Sequence, residues 1–196
     1  MEKKKRTVLR IATLPVLGAA TILLTLSPAL AWEEVHGRMT GGGSVICNSN
    51  PCIESEGGTD PTGRVTHGFE VHCTPSDGPN NLEINDHIGS NRFHLDSVDT
   101  VFCYTEEGID PKPPVAGFNT YLGYGTGSWN GTPGASIIFK LLDAGEPGTS
   151  DTMCLEITVG STIVLQVGTF AQINSVTTHC PVPLTFGNQQ AHKENP

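Results

Sequence analysis

Three carboxylates separated by glycine and proline lie within nine residues, at Asp143, Glu146 and Asp151. Ca²⁺ takes roughly six to eight oxygen ligands, and a loop of this composition can supply several of them. The spacing does not follow the fixed order of an EF-hand loop. Asp and Gly also suit tight turns, so a solvated hairpin loop is the favoured alternative. We expect a chain without an obligatory cofactor, with Ca²⁺ as the alternative ligand of this loop.

Four histidines lie close together in the sequence, at His67, His72, His87 and His94. Residues two apart on a strand share a face, so His72 is predicted to lie beside Glu70. If their strands meet, His72 and His94 could bind Zn²⁺ or Cu²⁺, or could act with a carboxylate as a general base. His67 lies on the same predicted strand face as Val65, Phe69 and Val71 and is predicted to lie in the core. A structural role is favoured for the whole cluster, because its spacing sets no ligand geometry.

Aromatic side chains form a third group, with Tyr121, Tyr124 and Trp129 close in sequence to Asn119 and Asn130. Aromatic faces beside amide groups suit sugars or extended peptides, so the three rings are candidate ligand-binding residues. The alternative interpretation is that these rings fill the core.

Motifs for nucleophilic, zinc-dependent or phosphate-binding catalysis do not occur in the sequence. The glycine-rich segment 125–131 is predicted to be a turn, since it precedes no helix pattern. The many acidic residues allow numerous carboxylate pairs without singling one out. We therefore predict that the protein is not an enzyme, with a hydrolase built on a histidine and a carboxylate as the alternative.

Six cysteines are present, an even number that favours disulfides in an oxidising compartment. Many pairings are formally allowed, and sequence alone does not choose among them. Their local spacing suggests three bonds: Cys47 with Cys52, Cys73 with Cys103, and Cys154 with Cys180.

The N-terminus has the three parts of a secretory signal peptide. A basic segment, residues 3–6, precedes a largely apolar run over residues 11–26, and Ala29-Leu30-Ala31 follows. This pattern predicts cleavage before Trp32, leaving residues 32–196 as a single secreted domain, extracellular or periplasmic. The apolar run is short for a membrane span, so no membrane insertion is expected after cleavage.

The net charge after cleavage argues against some classes of binding partner. After removal of residues 1–31, six basic and nineteen acidic residues remain, for a net charge of −13 with neutral histidines. Such a field repels phosphate backbones and anionic lipids, which argues against nucleic acid and membrane surfaces. The expected partner is a protein or a carbohydrate at the cell exterior.

Short apolar segments between frequent glycines and prolines predict many strands and few helices. In one segment Val65, His67, Phe69 and Val71 alternate with polar residues, as in a half-buried strand. Further strands are predicted over residues 82–84, 92–95, 136–142, 156–159 and 162–167, the last two joined as a hairpin. The predicted fold is an all-β, disulfide-linked β-sandwich, with a partly closed barrel as the second arrangement.

Seven segments also carry a family resemblance: Gly37-Arg38-Met39-Thr40-Gly41-Gly42-Gly43-Ser44, Arg64-Val65-Thr66-His67-Gly68-Phe69-Glu70, Pro79-Asn80-Asn81-Leu82-Glu83-Ile84-Asn85, Asn91-Arg92-Phe93-His94-Leu95, Ala116-Gly117-Phe118-Asn119-Thr120-Tyr121, Asp143-Ala144-Gly145-Glu146-Pro147-Gly148 and Gly187-Asn188-Gln189-Gln190-Ala191-His192. Together they resemble the post-COAP domain, found after choice-of-anchor modules in secreted bacterial proteins. The resemblance covers nearly all of residues 32–196 and implies a bacterial, exported β-domain without implying an activity. We expect a secreted, non-catalytic structural or interaction module, with a Ca²⁺-dependent or histidine-dependent metal-binding protein as the alternative.

Overall fold

The computed structural model describes residues 35–47, 52–54, 63–109 and 116–193. The predicted signal peptide and its cleavage site lie outside the described residues. The described elements are β1 (Gly37–Ile46), β2 (Cys52–Glu54), β3 (Arg64–His72), β4 (Asn81–Asp86), β5 (Asn91–Tyr104), β6 (Thr120–Trp129), β7 (Thr132–Leu142), a 3₁₀ turn (Gly148–Ser150), β8 (Thr152–Val159), β9 (Thr162–Val167), α1 (Phe170–Ile173) and β10 (Phe186–Lys193). None of the helical segments among these is long and apolar enough to cross a membrane.

These strands form one antiparallel sheet in the order β10-β1-β3-β4-β5-β6-β7-β8-β9-β2. Neighbours in the sheet are mostly neighbours in sequence, as tight turns allow. One such turn is Asn130-Gly131 between β6 and β7, with φ of 52° and 78°. Positive φ at both central residues matches the twist of the flanking strands. The predicted all-β class is confirmed.

The sheet is curled, so that strands near its opposite ends approach each other. Strand β1 lies next to one edge and β2 forms the other edge, yet the Cα atoms of Cys47 and Cys52 are only 5.5 Å apart. The chain just before β10 also bridges the opening. There Val182 O accepts from the Met153 backbone N–H of β8 at 3.0 Å, and Thr185 N–H donates to Ser44 O of β1 at 2.7 Å. The single sheet therefore wraps around one core as a half-barrel.

Bulges and glycines make this curl sterically feasible. The pairing of β5 with β6 shifts register between Leu95 and Ser97 and again between Val98 and Thr100. Such bulges bend a strand and increase its local twist. On β6, a Cβ atom at Gly123 would lie 2.6 Å from the Phe139 ring, and one at Gly127 would lie 2.6 Å from the Phe93 ring. These glycines make room for core aromatic rings.

The segment predicted as a turn over residues 125–131 is therefore mostly strand. Strand β6 continues to Trp129, and only Asn130 and Gly131 form the turn. The prediction failed because glycine in a sequence signals either a turn or a place where a neighbouring side chain needs space.

The strands predicted from alternation are confirmed. Val65, His67, Phe69 and Val71 are buried on the inner face of β3. The segments 82–84 and 92–95 lie in the antiparallel pair β4 and β5, and 156–159 pairs with 162–167 through the predicted hairpin. Tyr121 crosses the core, because its hydroxyl donates to His72 O of β3 at 3.3 Å.

All three suggested disulfides are present: Cys47–Cys52, Cys73–Cys103 and Cys154–Cys180. None of the six cysteines is free. The first bond joins the end of β1 to β2, the second joins the end of β3 to β5, and the third fixes the chain after α1 to β8. The first two connect strands that are not adjacent in the sheet, so they maintain the curl.

Candidate functional site

The carboxylate loop packs against the free edge of β10. Asp143 Oδ2 accepts from the backbone N–H of Ala191 at 2.8 Å, and Asp151 Oδ2 accepts from that of Gln189 at 2.7 Å. These N–H groups point away from β1 and would otherwise be unpaired. Glu146 Oε1 accepts from the side-chain amide of Asn188 at 2.8 Å. The loop that holds the candidate calcium ligands therefore closes an edge of the sheet, a position that proteins commonly protect.

The second oxygen of each aspartate is also used. Asp143 Oδ1 accepts from Gly145 N–H at 2.8 Å, and Asp151 Oδ1 accepts from Ala144 N–H at 2.9 Å. Asp151 is 0% exposed, and burial raises its pKa to about 6, against the opposing effect of its two backbone donors. Among the described residues, no three His, Cys, Asp or Glu side chains are grouped so that they could hold a metal ion.

The histidines are held by different partners. His94 Nδ1 is 2.5 Å from Glu83 Oε1 on the adjacent strand, whereas the His72 ring is buried at the end of β3. Glu70, two residues from His72 on β3, pairs with Arg38 at 3.4 Å. His67 lies in the core as predicted, and burial lowers its pKa to about 4. The structure thus gives each of these groups a separate environment.

The three candidate aromatic residues lie in different surroundings. Tyr121 is fully buried and stacks on Phe139, with ring centroids 5.5 Å apart, so it fills the core, as the alternative interpretation of these rings expects. Tyr124 is partly exposed and its hydroxyl donates to Asn174 Oδ1. Trp129 is half-buried against the core at the end of β6. Alternation did not reveal this, because glycines on β6 leave few side chains to define its two faces.

A different aromatic residue marks a depression on the outer face of β10, β1 and β3. Phe186 is 80% exposed, the highest value among the large apolar side chains of the described residues. It borders a depression of about 350 Å³, whose lining is completed by Gly42, Gly43, Ser44, Arg64, Thr66 and Gly187. A large exposed aromatic ring beside a concave surface is typical of a binding site.

Strand register explains how this depression forms. Ser44 lies opposite both Thr66 of β3 and Phe186 of β10, so the three share one row across the outer face. In the next row Gly42 lies opposite Gly68, and no side chain rises from either position. The row of side chains therefore stands beside a strip of bare backbone.

A second polar cluster lies where the chain after β5 meets the chain after α1. Glu106 is buried, and its Oε1 contacts Lys140 Nζ at 3.1 Å and His179 Nδ1 at 2.6 Å. Lys140 also donates to the carbonyls of Ser175 and Thr178, at 3.1 Å and 2.7 Å. Burial lowers the pKa of Lys140, and Glu106 opposes that shift. The cluster borders a cavity of about 330 Å³.

Neither location was predicted from single residues, although each leaves a trace in the sequence. Lys140 interrupts the apolar run of β7, which indicates a buried partner for its charge. Phe186 stands beside a glycine in a polar strand, where no other large apolar side chain shares its face.

Comparisons with protein-family models, with curated proteins and with solved structures found no match to this chain.

Proposed function

We propose that the chain is a secreted, non-catalytic interaction module of a bacterial cell exterior, and that it binds its partner through the outer-face depression beside Phe186. The observation that carries the proposal is an aromatic ring 80% exposed at the rim of a concave surface built from three strands. Rigid strands position such a surface without a cost for ordering loops.

Export is supported by the signal-peptide pattern and by the disulfides. All six cysteines are paired, a state that persists in oxidising compartments outside the cytoplasm. The folded module exposes no thiol to exchange with its surroundings, which suits a protein that remains outside the cell.

The absence of catalysis is supported by how the acidic and imidazole groups are used. Asp143 and Asp151 accept backbone N–H groups of β10, and His94 is bonded to Glu83 across two strands. A general base needs to reach a substrate proton, whereas these carboxylates are already engaged within the fold.

The test measures how much of the labelled protein is retained on cells. Labelled residues 32–196, produced in an exporting host, are incubated with washed cells of the organism that encodes the chain. We expect retention that Phe186→Ala lowers by about tenfold and that the matched variant Phe170→Ala leaves unchanged, since Phe170 is 50% exposed elsewhere. Equal retention of both variants would refute the assignment of this surface.

A hydrolase is the second candidate, favoured by one contact. His179 Nδ1 lies 2.6 Å from Glu106 Oε1, and Lys140 Nζ contacts the same oxygen at 3.1 Å. In this arrangement Glu106 would orient the imidazole as a general base. Hydrolysis of chromogenic esters or glycosides by the wild type, lost in His179→Gln with an unchanged thermal midpoint, would replace the interaction module by this function.

A further inference from the structure

We propose that the outer-face depression beside Phe186 binds an uncharged oligosaccharide. The inference rests on the proposed function, and it names the chemical class of the partner. Its support comes from the floor, the wall and the charge balance of this surface.

The floor is exposed main chain. Gly42 of β1 lines the depression and is the cross-strand partner of Gly68 of β3, and both positions face outward beside Ser44 and Thr66. A Cβ atom built at Gly68 meets no atom within 4 Å, so the space above this residue is open. A flat ligand can therefore lie close to the backbone here.

The wall carries the hydroxyl of Ser44. Ser44 lines the depression, and 7% of the residue is exposed. Thr66, beside it, is 3.0 Å from His87 Nε2. A serine hydroxyl both donates and accepts, which matches the hydroxyl groups of a sugar.

The rim supplies an apolar plane. Phe186 occupies the same cross-strand row as Ser44 and Thr66, so a ligand on the floor reaches the ring. The C–H face of a pyranose is apolar while its edges carry hydroxyls, and an exposed aromatic ring beside polar groups complements both.

Charge argues against a polyanionic ligand. One charged side chain, Arg64, lines the depression, and the charges next to the glycine strip occur in opposite-sign pairs, Arg38 with Glu70 at 3.4 Å and Arg92 with Glu83 at 4.0 Å. The net negative charge of the whole chain repels polyanions. A peptide that adds a strand to the sheet is less suitable, because β1 and β3 are paired on both sides and the outer N–H groups of Gln189 and Ala191 are already bonded.

The decisive variant is Gly68→Val, which fills the strip from a position with free space and suits a strand. Binding of cellohexaose, chitohexaose, xylohexaose and mannohexaose is measured by titration calorimetry, with a sulfated oligosaccharide for comparison. We expect the wild type to bind at least one neutral glycan. Gly68→Val and Phe186→Ala should weaken this binding by about tenfold or more, while Phe170→Ala should bind as the wild type does. The thermal midpoint of each variant shows that its fold is intact.

Three results would overturn the inference: no binding to any neutral glycan, binding to the sulfated one alone, or unchanged affinity in Gly68→Val. The cell-retention assay separates this failure from that of the proposed function. If Gly68→Val abolishes retention on cells while no neutral glycan binds, the interaction surface stands and the ligand class is wrong. If retention is also unchanged, both proposals fail.

Discussion

At the residue scale, the side chains with the strongest apparent chemistry serve the fold. Asp143 and Asp151 look like calcium ligands in the sequence, but each uses both oxygens to accept backbone N–H groups. Tyr121, a candidate for ligand binding, is a core residue. A buried backbone donor without a partner is costly, so carboxylates placed beside one are used to satisfy it.

Two buried residues, Asp151 and His67, should change the free energy of unfolding with pH in opposite directions. The pKa of Asp151 rises from 3.8 to about 6 on folding, so the folded protein holds a proton that the unfolded chain has released. Its contribution makes the free energy of unfolding fall as pH rises through that window. The pKa of His67 falls from 6.5 to about 4, so its contribution rises with pH.

We therefore expect the slope of unfolding free energy between about pH 4 and 6 to differ in sign between two variants. Asp151→Asn should show stability rising with pH, and His67→Phe should show it falling, each by about 3 kcal/mol across the window. Urea denaturation at several pH values measures both slopes. Parallel slopes in the two variants would contradict the assignment.

Chelation tests the carboxylate loop directly. Because Asp143 and Asp151 would have to release backbone N–H groups to bind a cation, EDTA is expected to leave the thermal midpoint unchanged, as is added Ca²⁺. Differential scanning calorimetry measures the midpoint. A rise with Ca²⁺ that Glu146→Gln removes would assign a calcium site to this loop.

At the scale of elements, glycine within strands has two opposite uses. On the inner face of β6, Gly123 and Gly127 leave space in which the rings of Phe139 and Phe93 pack. On the outer face of β1 and β3, Gly42 and Gly68 carry no side chain, and the space above Gly68 is open. The two uses cannot be distinguished by composition, since both place glycine within a strand.

Replacing glycine by valine should distinguish these two uses of glycine. Gly123→Val would place Cβ 2.6 Å from the Phe139 ring and is expected to lower the free energy of unfolding by about 1–3 kcal/mol through overpacking. Gly68→Val is expected to leave stability unchanged or raise it by about 0.5–1 kcal/mol, because glycine is unfavourable in a strand. Chemical denaturation of the two variants measures the contrast, and equal destabilisation would show that Gly68 is not in open space.

At the scale of the whole molecule, the disulfides hold a single sheet in its curled form. Cys73–Cys103 and Cys154–Cys180 close loops with separations of 30 and 26 residues, whereas Cys47–Cys52 has a separation of 5. Constraint of the unfolded chain increases with loop length, although slowly.

Removing a disulfide that closes a long loop should therefore lower the free energy of unfolding more than removing the Cys47–Cys52 bond. The double variant Cys154→Ala/Cys180→Ala is expected to lose about 2–4 kcal/mol of unfolding free energy, and Cys47→Ala/Cys52→Ala less. Thermal and urea unfolding of both variants, compared with the wild type, provide the measurement. A larger loss for the short bond would mean that joining β1 to β2 stabilises the curl more than loop entropy does.

Much of the fold follows from local sequence. Alternation at Val65, His67, Phe69 and Val71 predicts the inner face of β3, because neighbouring residues of a strand point to opposite sides. The hairpin of β8 and β9 follows from its two-residue connection, and the spacing of the cysteines suggests the pairs that are present. In the strand and the hairpin the residues that decide the feature lie close together in the chain.

The candidate binding surface depends on contacts between distant parts of the chain. Ser44, Thr66 and Phe186 form one row only because β10 and β3 both pair with β1 in a particular register. The partners of the carboxylates and the burial of Tyr121 depend on the curl of the sheet. Local sequence thus determined several of the strands and the inner face of β3 and suggested the disulfide pairs, whereas the tertiary structure decided which faces meet, since strand register and closure arise from packing across the whole core.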